Sequence, residues 1–141
     1  MVEHKGYEFF EHTADTGLKA YGKTLEELFM NAANGLVALL VEDSPIAATE
    51  TRMIALSAAS LEALLQRWLK ELLFWFATDR FLPSSYHFDA VSDTEVRGRI
   101  IGERFDPTRH TQGIEVKGVT YHEYRVQQIN NRWEASLIFD V

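Results

Sequence analysis

Two stretches of this chain carry apolar residues at helical spacing, and each stripe has to be buried against another element. Thr24 with Glu27 three residues on is a capping box, in which each side chain satisfies the other's free backbone N–H. Behind it Leu25, Leu28, Phe29, Ala32, Ala33, Leu36, Leu39 and Leu40 form one stripe over four turns. Gly35 costs about 1 kcal/mol in mid-helix but does not break the pattern. Ser60 caps a second helix with Leu61, Leu64, Leu65, Trp68, Leu69, Leu72, Trp75 and Phe76 on a broad face. Leu73 and Phe74 make this helix apolar on more than one side, which predicts a place between layers. The aromatic spacing of Trp68, Trp75 and Phe76 reads as packing rather than as a cofactor box.

The remainder reads as strands. Residues 7–12 alternate, Asp15-Thr16-Gly17 signals a turn, and Leu18–Tyr21 is a return strand. Glu42-Asp43-Ser44-Pro45 ends the first helix, and Met53–Leu56 is a short strand. Asp79–Ser85 is predicted as a connector, followed by strands at Tyr86–Val91, Val96–Glu103, Val119–Ile129 and Arg132–Asp140. Asn130-Asn131 is a two-residue hairpin signal, since Asn tolerates positive φ. Set from that turn, Ile129 faces Arg132, Val126 faces Ala135, Tyr124 faces Leu137 and His122 faces Phe139 on the buried side. Tyr121 then faces Asp140 on the other. The order gives an α+β fold with two helices packed on a largely antiparallel β-sheet. A chain of 141 residues is expected to form one domain, 1–141, with no internal repeat.

Composition excludes several classes. The chain is 46% apolar and 12% aromatic with 3 Pro, so disorder and low complexity are out. It has no Cys, which removes disulfides, thiolate zinc sites and a Cys nucleophile. No apolar run reaches a membrane span, and no signal-peptide core follows Met1-Val2-Glu3-His4-Lys5; a cytoplasmic protein without membrane contact is expected. The net charge of −7 arises entirely in residues 1–94, with 7 Lys/Arg against 14 Asp/Glu. Such a chain lacks the cationic footprint that gives nucleic acid most of its affinity, so little or no direct nucleic-acid binding is expected. It can dock on a basic protein that itself holds RNA.

Four polar groups stand out. His12 and Asp15, three apart beside Gly17, can converge on one ion or substrate; equally, Asp15 can cap the turn through its own backbone. Arg109-His110, near Glu103 and Asp106, reads as a phosphate site or as an exposed loop with weak ion pairs. Lys117, entering a strand near Tyr121 and His122, is either a functional cation or an edge-strand guard. Asp140 beside the α-carboxylate of Val141 puts two anions within a few ångströms, which is unfavourable without a cation. His4, His87 and His110 lack metal-ligand spacing, and no GxSxG, GxGxxG, P-loop or HExxH motif is present. Glu62 and Glu71 read as a solvated helix face.

Taken together, these groups resemble the archease family. The resemblance rests on Glu11-His12-Thr13-Ala14-Asp15, Trp68-Leu69-Lys70-Glu71-Leu72-Leu73, Gly102-Glu103 with Asp106 and Arg109-His110, Glu115-Val116-Lys117 with Val119-Thr120-Tyr121-His122, and Asp140-Val141. Their order and spacing run from Tyr7 to Val141. Gly118, where the family has Ala, and Thr16, where it has an aliphatic residue, depart from the pattern without removing a candidate ligand.

The resemblance implies nested strand-helix-strand-strand modules, one inserted in another. It also implies an accessory protein, not an enzyme, with the tRNA-splicing type of RNA ligase as partner. That ligase is guanylylated on a histidine, needs manganese and joins 3′-phosphate ends to a 5′-hydroxyl; archeases promote its guanylylation and multiple turnover. The family's metal site carries over as Asp15, Asp140 and the Val141 α-carboxylate, an all-oxygen set that suits a divalent cation such as Ca²⁺, with Mg²⁺ the other choice. His12 and Lys117 are the expected partner-binding residues. A metal-dependent phosphoester hydrolase using Asp15, Asp140 and His12 is the alternative class.

Overall fold

A computed structural model describes residues 6–12, 15–42 and 44–141, with His12 described by its backbone alone. The chain forms two strand-helix-strand-strand units, one inserted in the other. The outer unit opens with the hairpin β1 (Tyr7–His12) and β2 (Asp15–Gly22), continues through α1 (Leu25–Leu40), and leaves by β3 (Val41–Glu42). The inserted unit is β4 (Glu50–Ser57), α2 (Leu61–Asp79), β5 (Phe81–Val91) and β6 (Glu95–Arg104). The chain re-enters the outer unit through β7 (Thr111–Gln112) and closes with β8 (Gly118–Ile129) and β9 (Arg132–Asp140). Two antiparallel sheets result, β1-β2-β9-β8 and β4-β6-β5, and β3 pairs with β7 where the insertion departs and returns.

The local causes are legible residue by residue. Thr24 Oγ1 accepts the Glu27 N–H at 3.1 Å, while Glu27 reaches back to the N–H of Lys23 rather than Thr24, at 3.3 Å. Ser60 Oγ accepts the Ala63 N–H at 3.2 Å and starts α2. Arg80, at φ 63°, ends it in the left-handed region. Gly35 has a packing reason: a Cβ there would lie 2.6 Å from Leu18 Cδ1, so its absence lets α1 settle onto β2. Trp68 is fully buried and donates its indole N–H to the Phe29 carbonyl at 3.0 Å, joining the two helices. Leu18, Phe29, Leu36, Leu64, Leu69, Phe81, Leu137 and Phe139 share one core with it.

Helix α2 packs on β8 of one sheet and on β4, β5 and β6 of the other, the place between layers that its breadth requires. Its Leu73–Phe74 side is the exception: Phe74 is exposed. Three further expectations need correction. Asp15-Thr16-Gly17 is strand, not turn; Gly17 is there because the Phe10 ring lies where a Cβ would go, 2.2 Å away. Residues 81–85 belong to β5, with Pro83 on an edge strand at a register shift, the setting that tolerates a missing N–H. The last hairpin holds its expected register from Ile129–Arg132 to Arg125–Ser136, then shifts. A bulge over Tyr121–Tyr124, with Glu123 at φ 52°, pairs Val119 with Phe139 and Gly118 with Asp140, in place of His122 and Tyr121. Asn130 and Asn131 both adopt positive φ, as the turn requires. Among the described residues no helix is long and apolar enough to cross a membrane.

Candidate functional site

The candidate residues lie on four different strands, and the sheet order brings them to one end of one sheet. His12 closes β1 and is the cross-strand partner of Asp15, which opens β2. Thr16 pairs with Phe139, so one step further along the same register Asp15 comes abreast of Asp140. Asp140 is in turn the partner of Gly118 at the start of β8. The Lys117 N–H donates to the Asp140 carbonyl at 2.7 Å. His12, Asp15, Asp140 and Gly118 thus form one transverse row, and residues opposite one another in an antiparallel pair share a face. Asp15 is half-buried, while Asp140 and Lys117 are exposed. Val141 packs against the core and fixes the position of the row at its β9 end. The His12 side chain, Thr13, Ala14, Asp43 and residues 1–5 lie outside the described residues.

Leaving aside the His12 side chain, which lies outside the described residues, the side-chain donors of this row are oxygens. Among the described residues no group of three or more His, Cys, Asp or Glu side chains is placed to hold a metal ion. Among the described residues of the row the two aspartates supply two side-chain carboxylates, and main-chain oxygens lie beside them. Such a set fits a hard cation that takes carboxylate, carbonyl and water oxygens, and does not fit a soft one. Four cavities open elsewhere among the described residues, and Asp140 and Lys117 at the row are exposed.

The Glu103–Arg109–His110 cluster is the ion-paired loop that one reading of its sequence suggests, exposed at Pro107, Thr108 and Arg109, but it is anchored by the buried Glu103 and His110. His110 is enclosed, and its Nδ1 accepts the Asp106 N–H at 2.8 Å. That contact leaves the proton on Nε2, which donates to Glu103 Oε2 at 3.0 Å. Glu103 also accepts the Ala47 N–H at 2.6 Å and pairs with the Arg109 guanidinium. Arg109 turns a further edge to Asp106, at 3.1 Å. Arg109 holds the Glu103 carboxyl below the ordinary carboxylate value, with help from Ala47 and His110 and against the opposing pull of burial. The group ties the 105–110 loop and the start of the inserted unit to β6. With Arg109 committed to two carboxylates, it has no vacant fork for phosphate.

Two features carried no sequence signal. Arg52 lies over the Phe81 ring at 4.2 Å and pairs with Glu50 and Asp79 at 2.7 and 2.6 Å. The β8 bulge brings Tyr121 under Lys70 of α2, with Nζ 5.6 Å from the ring centroid. Both join residues distant in the chain, which periodicity does not report.

Comparison with known proteins agrees with this architecture. Residues 7–141 match the Archease protein family (MTH1598/TM1083). "Protein archease" of Sulfurisphaera tokodaii is 34% identical over 136 residues, covering 96% of this chain and 98% of the relative. That of Methanosarcina mazei is 31% identical over 97% of both chains. The solution structure of Methanobacterium thermoautotrophicum protein 1598 is 34% identical and superposes with a TM-score of 0.82 over 98% of this chain and 100% of that one. A Thermotoga maritima structure described as an archease, possible chaperone, is 22% identical with a TM-score of 0.66 over 94% of each chain, and shares the fold.

Proposed function

Because the chain belongs to the archease family, we propose that it is an accessory activator of the tRNA-splicing type of RNA ligase, acting without a covalent step of its own. The observation that carries this reading is the row of strand ends, where Asp15 and Asp140 sit abreast at one end of the sheet. A rigid polar tip built on four paired strands can be presented to another protein, whereas a catalytic site needs an enclosed pocket. In this reading Asp15, Asp140 and the Val141 main-chain carboxylate hold a divalent cation, Ca²⁺ or Mg²⁺, which offsets the repulsion among them. Lys117 at the head of β8 and His12 at the end of β1 flank that set and contact the ligase. The tip favours the ligase conformer that accepts GMP, a population shift through differential binding.

The test is guanylylation of the purified cognate ligase with substoichiometric amounts of this protein. A faster first turnover and continued cycling are expected, both lost with Asp15→Ala or Asp140→Ala. The same variants should lose Ca²⁺ binding by calorimetry while keeping the wild-type melting temperature. Wild-type stimulation by Asp15→Ala would sink the tip reading.

A further inference from the structure

The two larger sheets end in the edge strands β1, β8, β4 and β5. Three of these edges are guarded. β5 carries Pro83 and two register shifts, β8 is bent by its bulge, and the Ser57 carbonyl of β4 is taken by Arg67. β1 pairs with β2 in an unbroken register from Tyr7 to His12 and contains neither Pro nor Lys. Natural edge strands are blunted by such devices against the addition of another strand, and β1 has none of them. The Tyr21 N–H donates to the Gly6 carbonyl at 2.8 Å, which makes Gly6 and Tyr21 a hydrogen-bonded pair. Such pairs alternate along an antiparallel ladder. Glu8 and Phe10 therefore turn their main-chain groups to β2, while Tyr7, Phe9 and Glu11 turn theirs away. Among the described residues no hydrogen bond reaches those outward groups.

Beside this edge lies a groove of about 600 Å³. Tyr7 and Phe9 form one wall; their cross-strand partners Ala20 and Leu18 are buried, and residues opposite one another share a face. Val37 and Ala38 of α1, with Pro45 and Ile46 beyond it, form the other. Phe9 is still 43% exposed, its ring 5.7 Å from that of Tyr7. A free strand edge beside a helix is where an extended segment adds to a sheet: its main chain takes the edge and every second side chain enters the groove. The lining has one charged residue, Glu8, and no cation. Glu11 is exposed on the same strand, and among the described residues neither carboxylate has a Lys or Arg within ion-pair distance. Lys19, opposite Glu8, leans over the Phe10 ring instead, with Nζ 5.9 Å from the centroid. Glu8 lies on the face away from Phe9, where the intervening side chains of an added strand fall. A second copy of β1 in that place would bring two more carboxylates to the edge, whereas a basic segment offsets those already there.

We propose that the β1–α1 groove is a strand-addition site for an extended segment of another protein, with apolar side chains at alternate positions and Lys or Arg between them. The inference goes beyond ligase activation and does not depend on it. β1 ends at His12 in the polar row, so a segment seated along β1 leads to that row. Main-chain hydrogen bonds along the edge supply affinity, and the groove and the two carboxylates select the side chains.

Hydrogen exchange in the free protein should be slow at the Glu8 and Phe10 amides and fast at those of Tyr7, Phe9 and Glu11. A displayed library of short random segments would then be selected on the full chain, and the most enriched peptide made synthetically. It should alternate apolar and basic residues and lack Pro. Its binding should slow exchange at Tyr7, Phe9 and Glu11 about tenfold or more. N-methylation of its amides should weaken binding about tenfold at one alternate set of residues and little at the other, the period of a strand. Ala38→Arg, at an exposed helix position, should weaken binding about tenfold or more with an unchanged melting temperature. Glu8→Gln and Glu11→Gln should weaken it and flatten its salt dependence. No enriched peptide, an enriched acidic one, an N-methylation effect without that period, or wild-type affinity in Ala38→Arg would each overturn the assignment. A dimer in sedimentation with slow exchange at Tyr7, Phe9 and Glu11 would put a second copy on the edge and overturn it too.

Discussion

At Gly118, at the β8 end of the polar row, a Cβ would meet no atom within 4 Å. Its φ is not among the positive values, so an alanine fits the backbone as it stands. Gly118→Ala should therefore stabilise the protein by about 0.5 kcal/mol through the entropy of the unfolded chain, a rise in melting temperature of roughly 2 °C by calorimetry. Gly17 and Gly118 show what single residues do and do not disclose. The Asn130-Asn131 turn was legible because positive φ selects its residue types directly. Asp15-Thr16-Gly17 misled because a glycine used for close approach of a ring has the same letter as one used for a turn. Asp15 and Asp140 stand out locally, one near His12 and Gly17 and the other next to Val141, but their grouping as one ligand set comes only from the family pattern.

Among the elements, the two helices were readable from their caps and stripes, and most strands from alternation. The β8 bulge was not. A hairpin turn sets register near itself, and three residues of slip accumulate where Tyr124 turns to donate its hydroxyl to the Glu62 carbonyl at 2.8 Å. The short β3–β7 pair was missed for a different reason: two residues are too few for any period to show. The loop clamp at the end of β6 has a pH signature. Glu103 is held below its ordinary value of 4.5 in the folded state, so it binds fewer protons folded than unfolded there. Its stability contribution is present above that value and is lost as pH falls through and below it. Thermal melts from pH 7 to 3 should thus show wild type losing stability below about pH 4.5, whereas Glu103→Gln starts about 2 kcal/mol lower and falls less steeply. Some slope should remain, because Arg52 lowers the Glu50 and Asp79 carboxyls in the same direction. A Glu103→Gln profile parallel to wild type across that range would count against the clamp.

Across the whole molecule, one strand does most to hold the outer unit together. β9 lies between β2 and β8, and it sends the fully buried Ala135, Leu137 and Phe139 into the core. Deleting residues 132–141 would leave β2 and β8 without a common partner. It should give a chain with no cooperative thermal transition, and a cooperative melt near the wild-type temperature would refute the central role of β9. The inserted unit has no such dependence in its sheet, since β4, β5 and β6 pair only with one another. The two units consequently face different conditions on the ribosome. The inserted one can pair its strands as soon as residue 104 has emerged, while the first hairpin waits, with one edge of β2 unsatisfied, for a partner that begins only at residue 132. A chain stalled before residue 132 would therefore present an open β-edge on β2, which makes the interval before β9 emerges the one in which this fold is most exposed to aggregation and to chaperone capture.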